Sequence, residues 1–279
     1  MKTKYKVIFI LLIAIFIYQI NTGSFLGISL NNDGDSSLAE SEESYEPYPN
    51  LPKHQYDWNR LVNINGRTDY TSPYGVTASQ GIDVSKYQGD IDWYKVKNSG
   101  ISFAMLRVGY RGYKTGIVNM DEKFIENIRQ ASQAGVDIGI YFFSQAISES
   151  EAIEEAEFVL NSIGDYNISY PIVFDLEEIS DPDHRTYYLN QQERTNIANA
   201  FCSKIEKAGY TAMIYGNESW LTDCYDLNQI YQYDIWLAQY SQEPTFPYEF
   251  TMWQYTDKGL VDGIDHAVDL NICFKQYQT

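Results

Sequence analysis

The sequence predicts an α/β protein whose strands close into an irregular barrel. Beyond Gln80, short apolar segments alternate with amphipathic segments of helical spacing, a pattern typical of parallel strands joined by right-handed crossovers. Eight apolar segments fall within about 200 residues, which is enough for a closed barrel of eight strands. The later connections are too short for full helices. We therefore expect a TIM-like β/α barrel whose last strands lack crossover helices.

The predicted strands are short apolar runs separated by turn residues or by helical segments. They are Gly81–Ser85, Phe103–Tyr110, Ile138–Ser144, Pro171–Glu177, Ala212–Tyr215, Ile235–Tyr240, Thr251–Tyr255 and Val268–Ile272.

Three amphipathic segments between the early strands are predicted to be helices. Ser148 precedes a Glu-Ser-Glu sequence, which fits a capping box at a helix start. Gly135 and Gly209 lie where two of the helices should end. The predicted helices are Asp121–Ala134, Glu149–Ile163 and Asn190–Ala208.

The N-terminus has the composition of an export signal. Lys2, Lys4 and Lys6 precede an apolar run over residues 7–18, and a charged flank before a short apolar stretch is typical of secretory signals. No clear small-x-small cleavage site comes after it, so residues 1–28 are interpreted as a signal peptide or a membrane anchor. Export predicts an extracellular or cell-surface location, with membrane contact only through this segment.

Residues 29–79 are interpreted as a linker and an extension, and residues 80–279 as the domain that carries the site. Between residues 31 and 52, Asn, Asp, Ser, Glu and Pro predominate. That composition buries too little apolar surface to offset the entropy of ordering, so a disordered linker is predicted there. Residues 53–79 hold enough apolar side chains, Trp58 and Leu61 among them, to pack against the domain that begins at Gln80.

The charge balance excludes one class of partner. The chain of 279 residues has 20 basic and 38 acidic residues and a net charge of −18. Nucleic-acid binding needs clusters of Lys and Arg that the sequence lacks, so no nucleic-acid partner is expected. The 25 Tyr residues favour a sugar ligand, whose C–H faces stack on aromatic rings, although a single Tyr is as readily explained as a half-buried strand residue.

Two carboxylates end the predicted strand Pro171–Glu177. Side chains at i and i+2 of a strand project to the same face, so Asp175 and Glu177 are expected side by side. Adjacent carboxylates repel and separate their pKa values, which leaves one of them able to donate a proton near neutral pH. The alternative interpretation is a solvated strand end without chemistry.

Other polar and aromatic residues fall at predicted strand ends, where the chemistry of parallel barrels collects. Asp83 lies in the first strand and Asp269 in the last. The predicted substrate-binding residues are Tyr110, Tyr141, Phe143, Tyr215, Trp236, Gln239, Tyr240, Trp253 and Gln254.

Carboxylates in an aromatic-lined cleft are the apparatus of glycoside hydrolysis. One acid protonates the leaving oxygen while a second carboxylate stabilises the positive charge that develops at the anomeric carbon. Metal binding is a competing use of such a cluster, but hard-cation sites usually draw their ligands from one compact loop, and the sequence contains none. Neither a metal nor a cofactor is expected.

The chain resembles glycoside hydrolase family 25, the cell-wall muramidases also called Chalaropsis-type lysozymes. The resemblance covers roughly Gln80 to Gln276 and rests on the order and spacing of several motifs together. They are Gly81-Ile82-Asp83-Val84-Ser85, Tyr87-Gln88-Gly89, Ile91-Asp92-Trp93, the stretches Phe103 to Gly109, Gly139 to Ser144, Pro171 to Glu177 and Ile235 to Tyr240, then Trp253-Gln254-Tyr255 and Val268-Asp269-Leu270-Asn271.

The resemblance implies a modified β/α barrel with about five helices. It also implies cleavage of the β-1,4 bond between N-acetylmuramic acid and N-acetylglucosamine, with peptidoglycan glycan strands as the partner and a monomeric protein. By motif, Glu177 matches the general acid, and Asp175 matches the carboxylate that holds the 2-acetamido group or stabilises the oxocarbenium-like charge. Asp83 and Asp269 match two further acidic residues of the groove. Phe142 departs from the polar residue or His of many relatives and is expected to alter subsite polarity.

Two other functions fit the same residues. A chitin-directed glycosidase would use a similar pair of carboxylates, and its digestion products would lack muramic acid. A non-catalytic, membrane-tethered peptidoglycan-binding module would keep the groove for recognition alone, but it would have no physical need for repelling carboxylates. The spacing of Asp175 and Glu177 leaves both retaining and inverting hydrolysis open.

Overall fold

The computed structural model describes residues 46–277, in which eight strands close into a barrel. The barrel strands are β3 (Ser79–Val84), β4 (Phe103–Arg111), β6 (Asp137–Phe143), β7 (Ile172–Asp175), β8 (Ala212–Asn217), β9 (Asp234–Ala238), β10 (Met252–Gly259) and β11 (Val268–Cys273). Their order is β3, β11, β10, β9, β8, β7, β6, β4, and pairing of β3 with β4 closes the ring. The predicted α/β barrel is therefore confirmed.

Five α-helices lie within these residues, in agreement with the family resemblance. They are α1 (Trp93–Asn98), α2 (Phe124–Gln133), α3 (Glu149–Ile163), α4 (Gln191–Lys207) and α5 (Leu227–Ile230). Ser148 and Asn190 accept hydrogen bonds from backbone N–H groups at the starts of α3 and α4, as N-terminal caps do. The later connections are short: α5 has one turn, and β9 and β10 are parallel neighbours with no helix between them.

The last strand differs from the parallel arrangement of its predecessors. β11 runs antiparallel to both β10 and β3. The connection from β10 spans only residues 260–267, and a short connection returns the chain in the opposite direction. As a result, Asp269 lies near the start of its strand, yet it is paired with Asp83 near the end of β3.

Alternation along the strands separates the barrel interior from an outer layer that packs against the helices. Met105, Val173 and Met213 lie in the interior cluster, whereas Leu106 and Phe174 lie in the outer one. Gly81 faces inward, because a Cβ there would lie 2.2 Å from the ring of Phe103. The lower barrel is therefore filled with side chains, and a cleft opens towards the carboxyl ends of the parallel strands.

The extension before the barrel belongs to the same compact unit, which begins at Glu46. Two short antiparallel strands, β1 (Leu61–Ile64) and β2 (Arg67–Tyr70), form a hairpin. Tyr56 stacks on Phe274, with 4.2 Å between ring centroids, and Trp58 lies 6.2 Å from Phe250. Tyr56, Trp58 and Leu61 thus pack against the barrel wall, whereas Val62 and Ile64 of the hairpin are exposed. Outside the ring of eight strands, one further short strand, β5 (Val118–Met120), pairs with the end of β4.

The predicted signal or anchor, residues 1–28, and the polar linker up to residue 45 lie outside the described residues. Within residues 46–277, none of the helices has the length and hydropathy needed to cross a membrane.

Candidate active site

A cleft of about 300 Å³ opens where the parallel strands of the barrel end. It contains four carboxyl groups, one guanidinium, and a wall of aromatic and amide side chains. The lining residues are Asp83, Ser85, Tyr87, Gln88, Arg107, Tyr141, Phe143, Asp175, Glu177, Tyr215, Trp236, Tyr240, Gln254 and Asp269.

Asp175 and Glu177 lie together in this cleft, although the strand that leads to them ends two residues earlier than predicted. β7 ends at Asp175, because the pairing with β6 and β8 stops there. Asp175 is only 4% exposed, and its Oδ1 accepts no hydrogen bond from a donor among residues 46–277. Glu177 lies just beyond the strand and is half-buried. The two carboxyl groups are within hydrogen-bonding reach of each other.

The environment keeps a proton on this pair. Burial raises the pKa of Asp175 well above its ordinary value, and the negative charges of Glu177 and Asp83 raise it further, while Arg107 acts in the opposite direction. Burial also raises the pKa of Glu177. Two carboxyl groups this close cannot both ionise easily, so the surroundings favour one proton shared by the pair.

Asp83 is held by two amide side chains. Nε2 of Gln254 and Nδ2 of Asn271 both donate to Oδ2 of Asp83, at 2.9 and 2.8 Å. Gln254 in turn accepts hydrogen bonds from the hydroxyls of Tyr215 and Tyr240, at 2.9 and 3.0 Å. Gln254 therefore lies in the cleft, as predicted, and its NH₂ group is hydrogen-bonded to Asp83.

Asp269 faces Asp83 across the antiparallel pair of β11 and β3. It is more exposed than Asp83 and lines the cleft. Burial, followed by the negative charges of Asp83, Asp257 and Glu177, raises the pKa of Asp269 to about 8. All four predicted carboxyl groups are thus assembled at one opening.

Arg107 is a cleft residue that the sequence did not single out. Its Nε and Nη2 contact Oδ2 of Asp121 at 2.8 and 2.7 Å, and its guanidinium lies 5.1 Å from the ring centre of Tyr87. The signal available in the sequence was a cation inside the apolar strand Phe103–Val108, since a buried charge in such a run needs a partner. The cleft residues Ser85, Tyr87 and Gln88 were also missed, as was Asn271, which is buried and donates to Asp83.

The floor of the cleft is aromatic. The rings of Tyr215 and Trp236 pack edge to face with 4.8 Å between their centroids, and the ring centroids of Tyr141 and Trp236 are 6.2 Å apart. Trp236 is nearly fully buried beneath the carboxyl groups. Tyr141, Phe143, Tyr215, Trp236 and Tyr240 therefore line the cleft that their positions in the sequence predict.

Three residues predicted to bind substrate lie elsewhere. Gln254 faces inward on β10, so its neighbour Trp253 faces the outer layer, where its indole N–H donates to the backbone of Gln239 at 2.8 Å. The Gln239 side chain contacts Glu218 and Thr245 in an adjacent depression. Tyr110 lies outside the cleft, 5.7 Å from the guanidinium of Arg107.

The expectation for Phe142 also needs correction. Phe142 alternates with the inward Tyr141 and Phe143, so it faces the outer layer, where its ring lies 5.9 Å from that of Phe158. It is fully buried there and cannot set the polarity of a subsite.

Within residues 46–277, no group of three or more His, Cys, Asp or Glu side chains has the arrangement needed to hold a metal ion.

A family model described as glycosyl hydrolases family 25 matches residues 82–264. The chain belongs to this family. It is a glycoside hydrolase of the lysozyme type, and two of its relatives are named as lysozymes. Lysozyme M1 of Streptomyces globisporus is 29% identical over 209 residues, which cover 71% of this chain and 69% of the relative. The autolytic lysozyme of Clostridium acetobutylicum is 24% identical over 194 residues, which cover 69% of this chain and 55% of the relative.

Solved structures of glycoside hydrolases share the fold. A bacterial lysozyme from Streptomyces coelicolor superposes with a TM-score of 0.61 at 28% identity, covering 69% of this chain and 90% of that one. The modular autolysin LytC from Streptococcus pneumoniae, in complex with a synthetic peptidoglycan ligand, gives a TM-score of 0.64 at 25% identity over 76% of this chain. The enzyme spans about half the length of that autolysin, since the match covers 51% of it.

Proposed function

We propose that the enzyme hydrolyses the β-1,4 bond between N-acetylmuramic acid and N-acetylglucosamine in peptidoglycan. The observation that carries the proposal is the pairing of a deeply buried carboxyl, Asp175, with a more exposed one, Glu177, in an aromatic-floored cleft. Family membership supports a lysozyme-type reaction.

Glu177 is assigned as the general acid. It is the more exposed member of the pair, and burial raises its pKa, while its contact with Asp175 acts in the opposite direction. A carboxyl that keeps its proton near neutral pH can protonate the glycosidic oxygen as the bond to the leaving sugar breaks.

Asp175 is assigned as the stabilising carboxylate. Its Oδ1 is buried without a hydrogen-bond donor among the described residues, so it is available to a group of the substrate. In its ionised form it can hold the N–H of the 2-acetamido group or face the positive charge that develops at the anomeric carbon. Arg107 favours that ionised form.

We favour retention of configuration through participation of the acetamido oxygen. The adjacent Asp175 and Glu177, together with an N-acetylated substrate, support this route. An initial product with the α-configuration, seen by NMR immediately after cleavage, would contradict it.

A digest of purified peptidoglycan tests the whole proposal. The products are reduced with borohydride and identified by mass spectrometry, and the expected new reducing end is muramic acid. Glu177→Gln serves as the control with an intact cleft. Release of N-acetylglucosamine reducing ends, or cleavage of chitin oligosaccharides at a comparable rate, would favour the chitin-directed alternative. Binding of peptidoglycan without cleavage would favour a recognition module.

The proposed place of action is the cell wall, reached by export, either as a secreted protein or retained by residues 1–28. The proposed form is a monomer.

A further inference from the structure

The amide of Asn271 can point in only one direction. Its Oδ1 accepts a hydrogen bond from the indole N–H of Trp236 at 2.8 Å. An indole nitrogen donates and never accepts, so the oxygen of Asn271 must face Trp236. The NH₂ group of Asn271 therefore faces Asp83, and Oδ2 of Asp83 must act as an acceptor.

Gln254 is oriented in the same sense. Its Oε1 has two phenolic hydroxyls as neighbours, those of Tyr215 and Tyr240. The NH₂ group then donates to the same Oδ2 of Asp83. Two donors occupy this oxygen. Hydrogen bonds to a charged acceptor are the stronger ones, so both amides favour the ionised form of Asp83 and oppose the burial that raises its pKa.

The protonation of Asp269 depends on the charge of Asp83 beside it. It pairs directly with Asp83 across the strands, and their carboxyl groups are within hydrogen-bonding reach. Glu177, Asp257 and Tyr240 are the other titratable groups that act on it or are acted on by it. Two carboxyl groups this close share one proton. Because both amides stabilise the anion on Asp83, the proton belongs on Asp269.

We propose that Gln254 and Asn271 are positioning residues that keep Asp83 ionised, so that Asp269 holds the shared proton and donates a hydrogen bond to an acceptor oxygen of the bound sugar. The inference rests on the proposed function for the identity of the sugar. The assignment of the proton rests on the contacts alone.

Site-resolved carboxyl titration tests the proton directly. In the free enzyme labelled with ¹³C at aspartate carboxyl carbons, the Asp269 signal should be that of a protonated acid at pH 7, and the Asp83 signal that of a carboxylate. In Asn271→Leu the Asp83 anion loses a donor, so protonation should move from Asp269 towards Asp83. An ionised Asp269 at pH 7 in the wild type, or no redistribution in a folded variant, would overturn the proposal.

Two further variants provide an alternative test and a control. Should Asn271→Leu fail to fold, Gln254→Met removes the other donor with a similar side-chain volume and is expected to move protonation in the same direction. Gln80→Met is the matched control. Gln80 also lies on β3, and its amide donates to Asp69 at 2.7 Å, away from the cleft. It should leave Asp269 protonated.

Activity on peptidoglycan supplies a second readout. Asp269→Asn keeps a permanent donor at this position and should retain activity within about tenfold of the wild type, whereas Asp269→Leu should lose about 10²-fold or more. Equal losses would mean that the charge of Asp269 is required, and the proposal would fail. A wild-type enzyme inactive on peptidoglycan would refute the proposed function, while the titration would still decide where the proton lies.

Discussion

Asp175 and Glu177 are two residues apart, and β7 ends between them. Their carboxyl groups therefore have different surroundings. Asp175 is the last residue of β7 and is almost fully buried, whereas Glu177 lies beyond the strand and reaches the cleft. One short segment thus provides a buried carboxyl and a more accessible one in contact, which is the asymmetry that different roles in glycoside hydrolysis require.

Glu177→Gln is expected to lower the turnover of peptidoglycan by about 10²–10⁴-fold, because a positioned general acid contributes on that scale. Gln has nearly the same size and removes only the dissociable proton. The release of reducing ends measures the loss, and circular dichroism checks the fold. Near wild-type turnover in a folded variant would mean that another residue is the acid.

Asp175→Asn is expected to reduce turnover to a similar extent, since the neutral amide cannot stabilise developing positive charge. It also removes the partner that shares a proton with Glu177. The burial that raises the pKa of Glu177 remains, so a residual pH profile should still depend on Glu177. A variant with unchanged kcat and only a raised KM would indicate a binding role alone.

Arg107 and Asp121 are expected to move the acidic limb of the pH–rate profile in opposite directions. Arg107 lowers the pKa of Asp175, so Arg107→Gln should raise it and move the acidic limb to higher pH. Asp121→Asn leaves the positive charge of Arg107 less neutralised and should move that limb to lower pH. Shifts in the same direction would show that loss of structure, and not charge, is responsible.

The free energy of unfolding is expected to fall as the pH rises from about 4 to 8, owing to Asp269. Its pKa is about 8 in the folded enzyme and about 4 in an unfolded chain. A group with a raised native pKa favours the folded state fully below its unfolded pKa and loses that contribution as pH rises to the native pKa. Asp269→Asn should flatten this slope in urea titrations. An unchanged slope would place the effect on other groups.

A chain that begins at Gln80 is expected to be less stable than one that begins at Glu46. The missing segment would leave Phe250 and Phe274, which pack against Tyr56 and Trp58, exposed to water. Burial of one aromatic side chain is worth roughly 1.5–3 kcal/mol, so thermal melting should detect the loss. Equal melting temperatures would show that the extension is dispensable for folding.

Much of the fold can be predicted from local patterns. Apolar runs locate the eight barrel strands, and helical spacing locates α2, α3 and α4 to within a few residues. The same patterns predict parallel strands throughout and do not show that the last strand reverses. The antiparallel course of β11 arises from its pairing with β3, some 190 residues earlier in the chain, and such distant pairing leaves no local signal.

The carboxyl groups of the site could be predicted from the sequence, whereas the residues that hold them in place could not. The four carboxyl groups are recognisable because carboxylates rarely end buried strands without a reason. Asn271 resembles an ordinary strand polar residue until its partners, Trp236 and Asp83, are placed beside it. Trp253 was expected in the cleft because aromatics suit sugars, but the phase of alternation on β10 turns it outward.

The closure of the barrel by its final strand has a consequence for biosynthesis. β11 supplies both Asp269 and Asn271 and fills the gap between β3 and β10. A nascent chain that ends before Val268 would therefore expose two unpaired strand edges, which favour aggregation, and would lack half of the Asp83 support. The Asp83–Asp269 pair and its Asn271 support are therefore complete only once β11 has been synthesised and has paired with β3.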